Sequence, residues 1–218
     1  MRLKSTRSSL ALAVSLAALP AVALAQSPVG ITVGAAVAAV RVNSQTGVLV
    51  SQLSGVIAGG EGRLSLWKAS LDLRYFEGSA DSSGEGDGKD IVEGEAMLGF
   101  RPLSWLTVKL GPHIRSMISD VGTQRWFFWE VRLRGEATLG IPVLKGYLEG
   151  WNVISNNLDV PEPWDRGQGI EGGLRLQSAG RPLWARLGYR MDHSRLGSGA
   201  RTETMEQLVA TVGFSLGR

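Results

Sequence analysis

Cysteine is absent from the 218 residues, which excludes disulfides, a thiolate nucleophile and any cysteine-based metal centre. Histidine occurs only as His113 and His193. Long apolar runs are missing beyond the N-terminal segment. Gly30–Val42 comes nearest, but it carries Arg41 and is too short for a spanning helix, which needs about 20 residues. A sustained 3.6-residue period is missing as well, so no helix is predicted in the mature chain. Excess charge of one sign is only apparent. The formal +3 rests on Arg2, Lys4 and Arg7, and without them basic and acidic residues are equal in number. The high sequence pI is therefore no argument for nucleic acid, and no nucleic-acid partner is expected.

Those three cations open a segment with an address. Leu10 to Val22 is apolar, and Ala23, Leu24 and Ala25 precede Gln26 as an A-x-A cleavage site. The pattern predicts a cleavable secretory signal peptide over residues 1–25 and one domain over 26–218.

What the mature chain has is alternation. In Gly60–Tyr75, GEGRLSLWKASLDLRY, polar residues alternate with apolar or small ones on both sides of Trp67 and Lys68. Folded as a hairpin about those two, Arg63 faces Asp72, Glu61 faces Arg74 and Ser65 faces Ser70. The other face joins Leu64 to Leu71, Gly62 to Leu73 and Gly60 to Tyr75. Because side chains alternate faces along a strand, one register gathers the charges on one side and the apolar groups on the other.

Later strands repeat this. The enclosed face reads Glu61, Arg63, Asp72, Arg74, Glu93, Glu95, Arg101, Lys109, His113, Arg115, Glu130, Arg132, Arg134, Glu136, Lys145, Glu149, Glu171, Arg175, Arg186, Arg190 and Asp192. The outer face reads Val92, Gly94, Ala96, Leu98, Phe100, then Leu106, Val108, Leu110, then Val131, Leu133, Gly135, Ala137, Leu139. A charge facing lipid at mid-depth costs about 2–4 kcal/mol, so such a set must point inward. Polar inside and apolar outside inverts a soluble barrel, and with it the soluble ligand carrier of lipocalin type. The fold class predicted is all-β: a closed, antiparallel, up-and-down transmembrane β-barrel.

Ten strands are predicted, with eight as the alternative: Val29–Val42, Gly55–Leu66, Ala69–Phe76, Ile91–Phe100, Trp105–Ser116, Arg125–Leu139, Val143–Ile154, Gly169–Gln177, Leu183–His193 and Met205–Leu216. Short connections (67–68, 101–104, 140–142, 178–182) alternate with longer polar ones (43–54, 77–90, 117–124, 155–168, 194–204). That parity fits periplasmic turns, outer loops and both termini in the periplasm. Trp67, Trp105 and Trp184 fall at the short turns, and Tyr75, Phe76, Trp126, Phe127 and Trp129 near the other ends. The expectation is two aromatic girdles.

The final strand alternates Leu208, Ala210, Val212, Phe214 and Leu216 with Gln207, Thr211, Gly213 and Ser215. In this layout the chain resembles the small bacterial outer-membrane β-barrel proteins. The resemblance implies an outer-membrane location, lipid as surroundings and the barrel-assembly machinery as partner during insertion. In that family the last strand closes on an aromatic residue. Here Phe214 is followed by four more residues.

A lumen lined by Glu–Arg pairs in so narrow a barrel is expected to be filled. If the Pro102–Ser104 turn has three residues, Glu93 lies opposite His113, with Glu95 diagonal to Lys109 and His113. Around Gly140, two neighbouring registers set Glu149 against Arg132 or Arg134. Asp192, His193 and Ser194 are the one cluster suggestive of catalysis, but neighbours on a strand point to opposite faces, so no relay and no enzyme are predicted. No cofactor or metal is expected either. The acidic loop 77–90 lacks the spacing of a calcium loop. Loop 155–167, with Pro161, Pro163 and Trp164, is either a contact for an outside partner or a lid over the mouth, and loop 77–90 is the other candidate surface. The functional expectation is a structural or loop-mediated binding role in the envelope. A narrow porin-like channel is the alternative, and an envelope enzyme acting on lipid A or peptides is the least favoured.

Overall fold

The computed structural model describes residues 29–82, 88–120, 122–160, 162–178 and 180–217. The predicted signal peptide and the acidic centre of loop 77–90 lie outside the described residues. Ten strands form one closed antiparallel barrel, each paired to its neighbours in sequence, with first and last joined. They are β1 (Val29–Thr46), β2 (Leu49–Leu66), β3 (Ala69–Ser82), β4 (Lys89–Leu103), β5 (Leu106–Ser119), β6 (Gly122–Thr138), β7 (Leu144–Leu158), β8 (Trp164–Gln177), β9 (Leu183–Leu196) and β10 (Arg201–Leu216). The seam pairs Ala36 with Thr211 and Val40 with Gln207. Closure leaves no sheet edge unpaired, a condition for strands that cross lipid.

The opening hairpin has the register expected of it. Arg63 lies opposite Asp72, Glu61 opposite Arg74, Leu64 opposite Leu71 and Gly60 opposite Tyr75. Its two-residue turn places Trp67 at φ +53°, and the Lys68 ammonium sits 5.3 Å from the indole centroid.

The strands are longer than the sequence pattern indicates, and the additions fall at one end. The expected loop 43–54 is almost entirely strand, turning only at Gly47 and Val48. Loops 117–124, 155–168 and 194–204 likewise shrink to short turns, the last closed by a single 3₁₀ turn, Gly197–Gly199. An 18-residue strand runs about 60 Å, and at the usual 35–45° tilt it rises well past an apolar band about 25 Å tall. The contrast is therefore not short turns against long loops. It is strands that stop at the apolar band against strands that project beyond it.

Outward residues are exposed and apolar across the band: Val33, Leu73, Leu98, Leu110, Leu133, Leu148, Leu187 and Val212. Inward charges such as Glu93, His113, Arg132 and Arg190 are buried. Tyrosines mark the upper border. Tyr75 Oη donates to Glu77 (2.6 Å) and Tyr189 Oη to Glu206 (2.7 Å), both on the outside of the barrel.

Several assignments are corrected. Phe76, Trp126 and Trp184 are buried in the lumen rather than seated in the girdles; they share strand parity with Arg74, Glu130 and Arg186. Arg101 is exposed at a register shift between Phe100 and Leu103, where its N–H bonds the Lys68 carbonyl. Lys145 has inward parity but sits exposed at the short-turn mouth.

Candidate functional site: the filled lumen

Three levels of side chains occupy the barrel. Nearest the short turns, Arg63 grips Asp72 through two parallel bonds, Nε–Oδ1 at 2.5 Å and Nη2–Oδ2 at 2.9 Å. Lys109 joins Asp72 (3.1 Å) to Glu149 (2.9 Å). Arg134 reaches Glu136 (2.8 Å) and Glu149 (3.3 Å). Arg186 bridges Glu61 and Glu171, both at 2.6 Å. Arg74 turns chiefly to Glu171 (3.1 Å) and stands 3.7 Å from its cross-strand neighbour Glu61. The register of that pair is as expected, but the tighter partners come from across the lumen.

At mid-height, His113 is held from both sides: Nε2 lies 2.8 Å from Glu93 and Nδ1 2.8 Å from Glu130. A neutral imidazole has one donor and one acceptor, so a ring between two carboxylates fits as the doubly protonated cation. Arg115 contacts Glu93 (3.3 Å) and Asp192 (3.1 Å). Arg132 contacts Glu130 (2.5 Å) and Glu95 (3.0 Å). Arg190 contacts Glu95 and, at 2.8 Å, Asp192. Gln207 donates to the second oxygen of Glu93 (2.5 Å).

The expected Glu93–His113 register is corrected. Glu95 lies opposite His113 and Glu93 opposite Arg115, because the β4–β5 turn is Ser104–Trp105 with an irregularity before it. At the β6–β7 hairpin the register selects Arg134 opposite Glu149, while Arg132 still reaches Glu149 at 3.5 Å.

Three aromatic residues of this network escape a reading based on charge alone. Tyr147 Oη donates to Glu171 (2.7 Å), with the Arg134 guanidinium 3.9 Å from its ring centroid. Trp151 lies between Arg132 and Arg190, whose guanidinium carbons are 4.8 and 4.7 Å from its ring. Its Nε1 donates to Asp192 (3.1 Å). Trp184 supports Arg175 at 5.0 Å. Each aromatic spreads over a glycine on the next strand or the one beyond it. A Cβ on Gly169 or Gly188 would fall 2.3 Å from Trp151 or Tyr147, and one on Gly34 2.8 Å from Trp184. Parity reveals these residues, since all three alternate in step with the inward charges.

Above the charges the filling turns apolar. Ala38, Val40, Val42, Ile57, Phe76, Ile91, Met117, Met205 and Val209 form one buried cluster on the side where the seam lies. Opposite, Trp126, Phe128 and Leu196 form a second, with Val153, Leu158, Val160 and Trp164 against it. The Trp164 ring is 5.0 Å from Phe128 and 6.3 Å from Trp126. Of the two expectations for that loop, its tryptophan has the lid's position. The projecting end of the barrel is thus filled mainly by apolar side chains, with Glu203 and Gln207 buried on the same inward face of β10 as Met205 and Val209, while the membrane-embedded part is inverted.

Among the described residues two groups, Glu93–Glu95–His113 and His113–Glu130–Asp192, bring potential metal ligands together. The guanidinium groups of Arg115, Arg132 and Arg190 already neutralise the same carboxylates, so these are ion-pair clusters that disfavour a further cation. Asp192 and Ser194 point inward, whereas His193 bonds Thr204 Oγ1 (3.0 Å) from the outer face. The three residues do not converge.

The class defined by this architecture is a ten-stranded transmembrane β-barrel with a packed, charge-paired lumen. Among solved structures it is similar to the outer-membrane protease OmpT from Escherichia coli, with a TM-score of 0.53 and 10% identity over 86% of this chain and 96% of that one. The translocator domain of the autotransporter NalP from Neisseria meningitidis gives 0.44 and 12% over 88% and 90%. Neisserial surface protein A gives 0.36 and 11% over 86% and 97%. These likenesses concern the fold. No family model matches the chain, and neither does any curated protein.

Proposed function

We propose that this protein is a non-conducting, non-enzymatic barrel of the bacterial outer membrane that serves the envelope by structure or by binding at its projecting end. The observation that carries this reading is the double filling of the lumen: a mid-height lattice of ion pairs beneath a mainly apolar core. A channel needs a continuous wet path with weak, successive sites. Here Glu93, His113, Glu130 and Arg190 are each at most 1% exposed, and Arg190 on β9 and Gln207 on β10 reach across the lumen to Glu95 and Glu93 on β4. The strand extensions, with the solvent-exposed tip Val48–Val50, form the surface offered outside. Barrel-assembly machinery is the partner expected during insertion. Planar-bilayer recording of the refolded protein tests the reading. A silent membrane is expected, and stepwise conductance would replace it with the porin-like alternative.

A further inference from the structure

The short-turn mouth opens into a cavity of about 80 Å³. It has room for several waters or a small ion. Seven cations and four carboxylates line it, and Glu130, Glu136 and Glu171 outside the lining pair with cations of the same set. Six of the seven have a carboxylate oxygen within ion-pair distance: Arg63 has Asp72, Arg74 and Arg186 have Glu171, Lys109 has Glu149, Arg132 has Glu130 and Arg134 has Glu136. Arg175 is the exception among the described residues. Its Nη2 donates to Gln177 Oε1 at 3.3 Å, its guanidinium carbon lies 5.0 Å from the Trp184 ring centroid, and its buried Nε has no partner among the described residues.

Its cross-strand neighbours are cations too. Lys145 is its direct partner on β7 and Arg186 its direct partner on β9. Like charges facing each other across a sheet repel. Arg186 is 7% exposed, and its Nε is a second buried donor without a partner. Arg175 and Arg186 thus line the cavity with two orphan donors, and Lys145 stands exposed beside them at the mouth.

We propose that the Arg175–Lys145–Arg186 row binds a small oxyanion, of the phosphate or carboxylate class, from the compartment at the short-turn end. A guanidinium matches two oxygens of such an ion with parallel donors. The site lies inside the barrel wall, so a solute reaches it through the mouth, whereas a lipid headgroup would have to bend over the rim.

The test is thermal unfolding of the refolded barrel in detergent at low ionic strength, followed by band shift on gels. Titrants are inorganic phosphate, acetate, and sodium chloride at matched ionic strength. Phosphate or acetate should raise the unfolding temperature saturably, beyond the chloride effect. Arg175→Gln should abolish that rise, measured against its own unfolding temperature without anion. Arg175→Lys and Lys145→Gln should keep a reduced response. A parent protein that responds equally to phosphate, acetate and chloride overturns the proposal, as does an Arg175→Gln protein that keeps the full response. A rise produced by a short-chain phospholipid but by neither free anion would overturn the solute source.

Discussion

The indole of Trp151 lies across Gly169, its direct partner on the next strand, and hydrogen-bonds Asp192 one strand further on. The missing side chain at position 169 is what permits that reach. A Cβ there would stand 2.3 Å from two indole carbons and 2.7 Å from the Met191 carbonyl oxygen. Gly169→Ala should therefore destabilise the barrel by about 1–3 kcal/mol, the usual cost of overpacking. Gly94→Ala, where a Cβ meets nothing within 4 Å, should leave stability unchanged. Urea titration of the folded gel band in detergent measures both, and equal effects would mean that the indole does not depend on Gly169.

Depth should govern the cost of an outward charge. Leu133 is exposed at mid-band, and Gln168 is exposed near the upper border. Leu133→Arg should cost about 2–4 kcal/mol and Gln168→Arg about 0–1 kcal/mol in lipid. Equal costs would contradict the placement of the apolar band.

Trp126 is fully buried and T-stacked on Phe128, whereas Trp129, three residues on, faces outward. Trp126→Ala should cost about 3–5 kcal/mol through the cavity it leaves. Trp129→Ala should cost clearly less, because lipid and detergent fill the space outside. Denaturant midpoints of the two variants decide this, and a reversed order would return Trp126 to the girdle.

The legibility of these features in the sequence varied with how tightly each is constrained locally. The Arg63–Asp72 register follows from a two-residue turn and strict alternation, so it is determined locally. The Glu93–His113 register is not, since the irregularity at Arg101 and Pro102 shifts one strand against the other and nothing in composition reports it. Phe76, Trp126 and Trp184 show a different limit. Residue type suggested girdles, while parity with Arg74, Glu130 and Arg186 already pointed inward. The strand extensions were hidden because polar residues suit both a loop and a solvated strand. The inward apolar face of β1, Ala36 to Val42, was also unreadable, because in that strand both faces are apolar up to Arg41.

The last prediction concerns Arg63 and Asp72. Their bidentate contact joins two adjacent strands at the lower edge of the lumen, with side chains 20% and 16% exposed. Arg63 has no second carboxylate among the described ion pairs, whereas Asp72 also holds Lys109 at 3.1 Å. Asp72→Ala therefore strands Arg63 completely and leaves Lys109 with Glu149 alone. Breaking a fully buried pair costs about 3–5 kcal/mol, and the access of solvent here sets that as a ceiling. Arg63→Ala should cost less, because Asp72 keeps Lys109. The double variant should be less destabilised than the sum of the two single ones, since no uncompensated guanidinium remains. Its recovery should be incomplete, because Lys109 has still lost one partner. A double-mutant cycle on urea midpoints measures the coupling. Strict additivity would show that the two residues do not interact, and the register at the foot of β2 and β3 would have to change.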